Sequence, residues 1–141
     1  MTKIKAIFWD NDGVLVDTEK LYFEANRFVF SKYGVEVTEE IYVENYLKNT
    51  IGAWHLLNAK GYSEEMISSI RTERNEYYSK LLEKQSEAIA GAENVLKTLH
   101  GKVLMGIVTS SRKDHFEMIH KRTGFKKYFD FVLTADELEK L

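Results

Sequence analysis

Two aspartates, Asp10 and Asp12, stand two positions apart in the string FWDNDGVLVDTE, directly behind an apolar run and just ahead of Gly13. Residues i and i+2 of an extended segment point to the same side, so both carboxylates can face one ligand. Gly13 lets the backbone turn sharply and leaves room for a bulky anion. Two carboxylates this close do not both ionise easily; either one keeps its proton or a cation sits between them. Both conditions suit phosphoryl transfer. One ionised carboxylate attacks phosphorus and becomes an aspartyl phosphate. A protonated partner gives its proton to the leaving oxygen and later takes one from the hydrolytic water. Mg²⁺ prefers oxygen ligands and a site shared with a phosphate, which makes it the expected cofactor.

A second group of candidates, Thr109-Ser110-Ser111, follows the apolar run KVLMGIV. Thr109 can donate its hydroxyl to a phosphate oxygen, and amides at the start of the next helix add donors and a favourable dipole. Plainer readings compete with each of these. Asp-x-Asp-Gly is also a common turn of solvated acids, and Thr109 alone suits a strand end or a helix cap. An EF-hand is excluded, because Val14 stands where that loop needs an oxygen ligand and no glycine holds the sixth position. His55, His100, His115 and His120 show no metal-ligand spacing and read as surface or packing residues. NEYYSKLLEK reads as helix packing.

The elements that must position these residues follow from periodicity. IKAIFW (4–9) is short, apolar and rich in branched and aromatic residues, the pattern of a parallel strand buried on both faces. KVLMGIVT (102–109) and YFDFVLT (128–134) read as two further strands. From Thr18 to about Gln85 no strand is predicted, and four helical segments are. The first ends at Gly34, the second is capped by Thr38, the third closes at Gly61 and the fourth opens at Ser63. AGAENVLKTLHG and SSRKDHFEMIHKRTG are helices of the strand-bearing part. The latter opens on a capping box of Ser111 and Asp114, and TADE forms another before the last helix. Strand and helix alternating around one helical insert implies an α/β fold with right-handed crossovers. Ligands of open α/β sheets bind outside the carboxyl ends of the strands, so both candidate groups share one rim. The expected division is a core of residues 1–16 and 88–141 and a helical cap of 17–87.

Composition narrows the function. With 22 acidic and 20 basic residues the net charge is −2, so no global basic field attracts nucleic acid or anionic lipid. The dense basic stretch KRTGFKK (121–127) reads as a solvated helix end. No segment has the length of a membrane-spanning helix and the N-terminus lacks a signal-peptide pattern. The absence of cysteine excludes disulfides and thiolate chemistry and agrees with a cytoplasmic setting. Proline is absent as well, where average usage would give about seven.

The whole string DNDGVLVDTE resembles the first motif of the haloacid dehalogenase superfamily, D-x-D-G-(V/T)-(L/I)-x-D-(S/T)-E in its phosphatase and phosphomutase branch. GIVTSS resembles the second motif, and the helical insert looks like the cap that this branch carries between the two. The resemblance covers essentially the whole chain. It implies a Rossmann-like parallel-sheet core with Asp10 as nucleophile and Asp12 as general acid and base. The Asp10 side chain and the Asp12 carbonyl would hold magnesium, and Thr109 with the Ser110 amide would hold the phosphate. Dehalogenases of the superfamily lack the second aspartate, so Asp12 points to phosphate esters. Tyr22 stands where the β-phosphoglucomutase branch usually has histidine, which disfavours, without removing, a mutase. No cap lysine stands out for the Schiff base of phosphonate hydrolysis. A Mg²⁺-dependent phosphatase of a small phosphorylated metabolite is the expected function. Arg71 and Arg74 are candidates to face an anionic substrate, with solvated ion pairing to Glu73 and Glu76 the plainer reading.

Family members continue with a lysine, usually followed by proline, and a fourth strand ending in acids. Usual spacing puts that lysine immediately after Leu141; Lys140 is a little early. The sites the family favours for proline lie beyond that point or at the cap exit, where this chain has Ala90-Gly91. The expected core is therefore incomplete, with about three strands, and the chain a truncated one. Its first strand would present an unpaired apolar edge that invites self-association, and roughly seventy core residues is near the lower limit for a self-sufficient core. The alternatives are a catalytically inactive short form that binds phosphate or forms oligomers, and a purely structural helical module.

Overall fold

Three short parallel strands carry the candidate site. The computed structural model describes residues 3–138. In it β1 (Ala6–Trp9), β2 (Leu104–Val108) and β3 (Phe131–Leu133) pair in the order β1-β2-β3. Ala6 faces Leu104 and Trp9 faces Ile107, while Gly106 faces Phe131 and Val108 faces Leu133. Parallel neighbours need crossover connections. The second crossover is α6 (Lys113–Thr123) with a 3₁₀ turn at Phe125–Tyr128; the first contains the helices of residues 19–85 and then α5 (Ala92–Leu99). The expected α/β class is observed, with all three carboxyl ends on one rim.

The third strand is shorter than its apolar pattern predicts. Tyr128 closes the 3₁₀ turn, and Asp130 then clamps the strand start. Its N–H donates to the Met105 carbonyl at 2.7 Å while its carboxylate accepts the Met105 N–H at 2.8 Å.

The two faces of the sheet differ. Met105 and Ile107 are fully buried on one side, in a unit that also buries Leu15, Val16, Leu96, Phe116, Ile119 and Phe125. On the other side Phe8 is 66% exposed and Leu104 49%. The apolar run therefore does not mean burial on both faces: among the described residues one face is covered and the other is open. Gly106 belongs to the open face, where a Cβ would lie 2.1 Å from the Phe131 ring. That ring meets Phe8 edge-on, centroids 5.6 Å apart, directly over the glycine. The outer edge of β1 has no paired strand among the described residues.

The chain divides into two compact units, residues 1–19 with 82–141, and residues 20–81. The helical unit is built from α1 (Glu19–Lys32), α2 (Glu39–Tyr42) running into a π-helical segment Val43–Lys48, α3 (Trp54–Ala59) and most of α4 (Glu64–Gln85). Its caps are local and legible. The Thr38 hydroxyl accepts the Ile41 N–H at 3.2 Å, and the Ser63 hydroxyl accepts that of Met66 at 3.1 Å. Val29, Phe30, Leu57 and Ile70 form its apolar centre. Beside that centre runs an aromatic layer in which Tyr22 meets Tyr78 edge-on at 5.0 Å and Tyr42 stacks on Tyr46 at 5.0 Å. Burial pushes the Tyr46 hydroxyl up to about 12.

Arg74 corrects the plainer reading of its sequence. It is buried, and its guanidinium donates to the Tyr22 hydroxyl at 2.9 Å, Asn26 Oδ1 at 2.7 Å and Asn75 Oδ1 at 3.0 Å. Glu73, expected as its solvated partner, is taken by Lys32 and the Tyr33 hydroxyl, each at 2.6 Å. Arg71 remains exposed, over the Trp54 ring at 4.6 Å.

Candidate active site

Beyond Trp9 the chain folds around one carbonyl. The Asn11 oxygen accepts the N–H groups of Val14, Leu15 and Val16 at 3.2, 2.8 and 3.3 Å. Gly13, at φ +79°, supplies the left-handed residue that this turn needs, a conformation glycine adopts without a steric penalty. Its N–H closes onto the Val16 carbonyl at 2.8 Å. A two-stranded crossing then pins the loop. Ile89 N–H donates to Leu15 and Asp17 N–H to Glu87, at 2.9 and 2.8 Å. The result is a fixed platform with Asp10 and Asp12 at its start.

The two aspartates occupy different surroundings. Asp10 is exposed, and its Oδ1 accepts the Asn11 N–H at 2.8 Å. Asp12 is half-buried and both its oxygens are engaged. Oδ1 accepts from the buried Thr18 hydroxyl at 2.5 Å, and Oδ2 from the Ser111 hydroxyl. A hydroxyl can donate or accept, so these partners serve Asp12 in either protonation state.

The second rim group sits at the end of β2. Thr109 is buried; its N–H extends the ladder to the Leu133 carbonyl at 3.0 Å, and its Oγ1 accepts the Ser111 N–H at 3.1 Å. The Thr109 proton is then available to an outside oxygen. Ser110 is exposed at the tip of the same turn. Ser111 thus ties Asp12 directly to the loop of Thr109. No hydrogen bond joins Asp10 to Thr109 or Ser110 among the described residues.

Ser111 does not cap α6 as its spacing predicts. The N-cap is Arg112, without a side-chain cap, and the Lys113 N–H is held by the Asp136 carboxylate at 2.8 Å. That hydrogen bond holds the Asp136 carboxyl below the usual carboxylate range. One amide expected to face a phosphate is therefore already used. The Ser111 hydroxyl donates to Asp12 instead.

Three residues near the site lie outside the candidate groups, Thr18, Asn11 and His120; Ser111 stands in the second group, but its contact with Asp12 does not follow from the sequence. Asn11 is fully buried, its Oδ1 2.6 Å from His120 Nε2, while His120 Nδ1 lies 2.7 Å from the Thr123 hydroxyl. Desolvation lowers His120 to about 4, so the ring is neutral at neutral pH. Thr18 was readable as part of the first motif; the other contacts join residues far apart in sequence.

A magnesium ion fits the donor set. Asp10 offers an exposed carboxylate and the Asp12 residue a carbonyl, both hard oxygen ligands. Among the described residues no three acidic or histidine side chains cluster as a self-contained metal cage. Lys140 lies outside the described residues.

A family model for haloacid dehalogenase-like hydrolases matches residues 7–141. The chain is similar to the phosphorylated carbohydrates phosphatase of Thermotoga maritima, at 28% identity over 145 aligned positions, covering 96% of this chain and 63% of that protein. It is also similar to the pyrophosphatase PpaX of Bacillus velezensis, 29% identical over 145 positions, covering 97% of this chain and 62% of that protein. The chain thus spans less than two thirds of the length of these relatives. A solved structure of a predicted phosphoglycolate phosphatase from Haemophilus somnus superposes with a TM-score of 0.81 at 19% identity, over 97% of this chain and 65% of that one. This last likeness concerns the fold.

Proposed function

Because the chain belongs to the haloacid dehalogenase-like hydrolase family, we propose that it serves the hydrolysis of a phosphate monoester of a small metabolite. Asp10 is the nucleophile and Asp12 the general acid and base. The observation that carries this reading is the contrast between the two carboxylates. Asp10 is exposed to an incoming ester, whereas Asp12 is held at both oxygens by Thr18 and Ser111. An exposed group suits attack; one oriented at both oxygens suits proton transfer along a fixed line.

In the first step an Asp10 oxygen bonds to phosphorus, the ester P–O bond breaks, and Asp12 delivers its proton to the departing alkoxide. Water then attacks the aspartyl phosphate, Asp12 takes the water proton, and phosphate leaves with the Asp10 carboxylate restored. The Thr109 hydroxyl and the Ser110 amide hold the phosphoryl oxygens. Mg²⁺, held by the Asp10 side chain and the Asp12 carbonyl, would screen the charge of nucleophile and phosphate. In this reading the helical unit takes the part of the family's cap and selects the leaving group. A cytoplasmic setting belongs to the same proposal and agrees with the absence of cysteine.

The test is Asp10→Asn, assayed for phosphate release across a panel of small phosphate esters with Mg²⁺. Turnover should disappear while beryllium fluoride binding, present in the unsubstituted chain, is lost with it. Retained turnover overturns the assignment.

The exposed Phe8 and Leu104, and an edge of β1 that no strand pairs among the described residues, favour a second reading, self-association through the sheet without turnover. It requires an oligomer that grows with concentration and no phosphate release in excess Mg²⁺. A monomer in sedimentation at all concentrations removes it.

A further inference from the structure

His120 lies on α6, and its ring reaches the one residue that separates the two aspartates. The residue is 3% exposed and its Nε2 is 2.6 Å from Asn11 Oδ1. The rings of Phe116 and Phe125 lie beside it, with centroids at 4.6 and 6.0 Å. A neutral ring with Nε2–H gives a consistent chain of donors. The Phe125 N–H donates to the Thr123 oxygen at 3.1 Å, the Thr123 hydroxyl to Nδ1 at 2.7 Å, and Nε2–H to Asn11.

Asn11 in turn holds the turn together through its backbone. Its N–H is bonded to Asp10 Oδ1, and its carbonyl gathers the amides of Val14, Leu15 and Val16. Alternation along the chain sends its side chain inward while Asp10 and Asp12 point to the rim. Among the described residues Asn11 Nδ2 is buried with no hydrogen-bond partner. An apolar residue here would bury as much surface without that unsatisfied amide, so packing alone does not account for the pair. A directional bond does.

We propose that His120 is a positioning residue: through Asn11 it fixes the backbone of the Asp10–Asp12 turn, and with it the line along which the nucleophile meets phosphorus. The catalytic part of this inference rests on the phosphatase reading above; the conformational part does not. His120 touches no reacting atom, and its effect is on orientation. Displacements of about 1 Å at a reacting group can lower a rate by a hundred-fold, so a lost hinge bond has room to matter.

The test compares His120→Leu, His120→Gln, Asn11→Leu and the double Leu variant in the whole chain, with p-nitrophenyl phosphate as probe. Each single Leu variant should lower kcat by about ten-fold or more, with KM within about two-fold. Gln, which keeps an N–H donor, should recover most of the loss, and the double variant should be no worse than either single one. The backbone ¹⁵N–¹H shifts of Asp10, Asp12 and Gly13 should move in the Leu variants and much less in His120→Gln. A folded His120→Leu protein with unchanged kcat overturns the proposal, as does a loss that Gln fails to recover. If the unsubstituted chain releases no phosphate, or Asp10→Asn leaves release intact, the phosphatase reading has failed separately. The amide shifts then decide: movement supports the positioning role, and unmoved shifts overturn it.

Discussion

The Ser111 hydroxyl donates to Asp12 Oδ2, a contact between residues 99 positions apart that ties the β2 exit to the β1 exit. Thr18 holds the other oxygen from within the first loop. The Asp12 carboxyl is thereby prevented from rotating, and rotation is the motion that would spoil proton transfer to a leaving oxygen.

Ser111→Ala should accordingly lower kcat by about ten-fold, the worth of one side-chain hydrogen bond. KM should change little, because the hydroxyl is spent on Asp12. Steady-state kinetics with a small phosphate ester checks this, and a rise in KM alone would place Ser111 at the substrate instead. Melting should stay within a few degrees of the unsubstituted chain, since Ser111 does not cap α6.

Gly106→Ala should destabilise the sheet. The new Cβ would lie 2.1 to 2.5 Å from three atoms of the Phe131 ring, so the ring must leave its edge-on contact with Phe8. Overpacking of this kind costs about 1–3 kcal/mol. Urea unfolding measures it. Combined with Phe131→Ala, the substitution should cost clearly less than the sum of the two alone, because the obstructing ring is gone.

Much of this fold was readable from local pattern, and the misreadings share one cause. Thr38 and Ser63 cap the helices that follow them because their partners are three residues away. Ser111 followed by Asp114 shows the same local signature, yet the serine serves a partner from another loop. Asn11 and His120, 109 positions apart, carry no sequence signal of their contact. The apolar run of β1 is read correctly as a strand, while its exposed face depends on what other elements cover. Arg74 beside Glu73 resembles a surface ion pair, and only the packing of α1 against α4 shows the arginine buried among neutral partners.

Arg74→Lys should lower stability by about 2 kcal/mol, because an ammonium cannot reproduce a planar fork of donors. That fork reaches Tyr22, Asn26 and Asn75. The lysine also loses the stacking of the guanidinium over Tyr22 and Trp54, now at 4.9 and 5.1 Å. Lys32→Ala is the comparison. Its ion pair to Glu73 is solvated, with side chains 47% and 33% exposed. A surface pair of this kind contributes under about 1 kcal/mol. Thermal unfolding of the two variants should rank them in that order. Equal losses would mean that the Arg74 network contributes no more than a surface contact.

The remaining prediction concerns acid. His120 titrates near 6.5 in the unfolded chain and is lowered to about 4 in the fold by desolvation, with the charge of Asp12 partly opposing. Below 6.5 the unfolded chain binds a proton that the folded one refuses, so unfolding becomes easier as pH falls. The contribution is fully present above pH 6.5, shrinks between 6.5 and about 4, and is gone below that. At about 1.4 kcal/mol per unit it amounts to about 3 kcal/mol. Burial of the ring makes solvent screening a small correction. His120→Gln keeps a donor for Asn11 and removes the titration. Its urea midpoint, compared with that of the unsubstituted chain at pH 7.5 and pH 4.5, isolates the histidine from the carboxylates that titrate in both proteins. The unsubstituted chain should lose clearly more stability between the two pH values. Parallel losses would show that His120 takes up its proton as readily folded as unfolded.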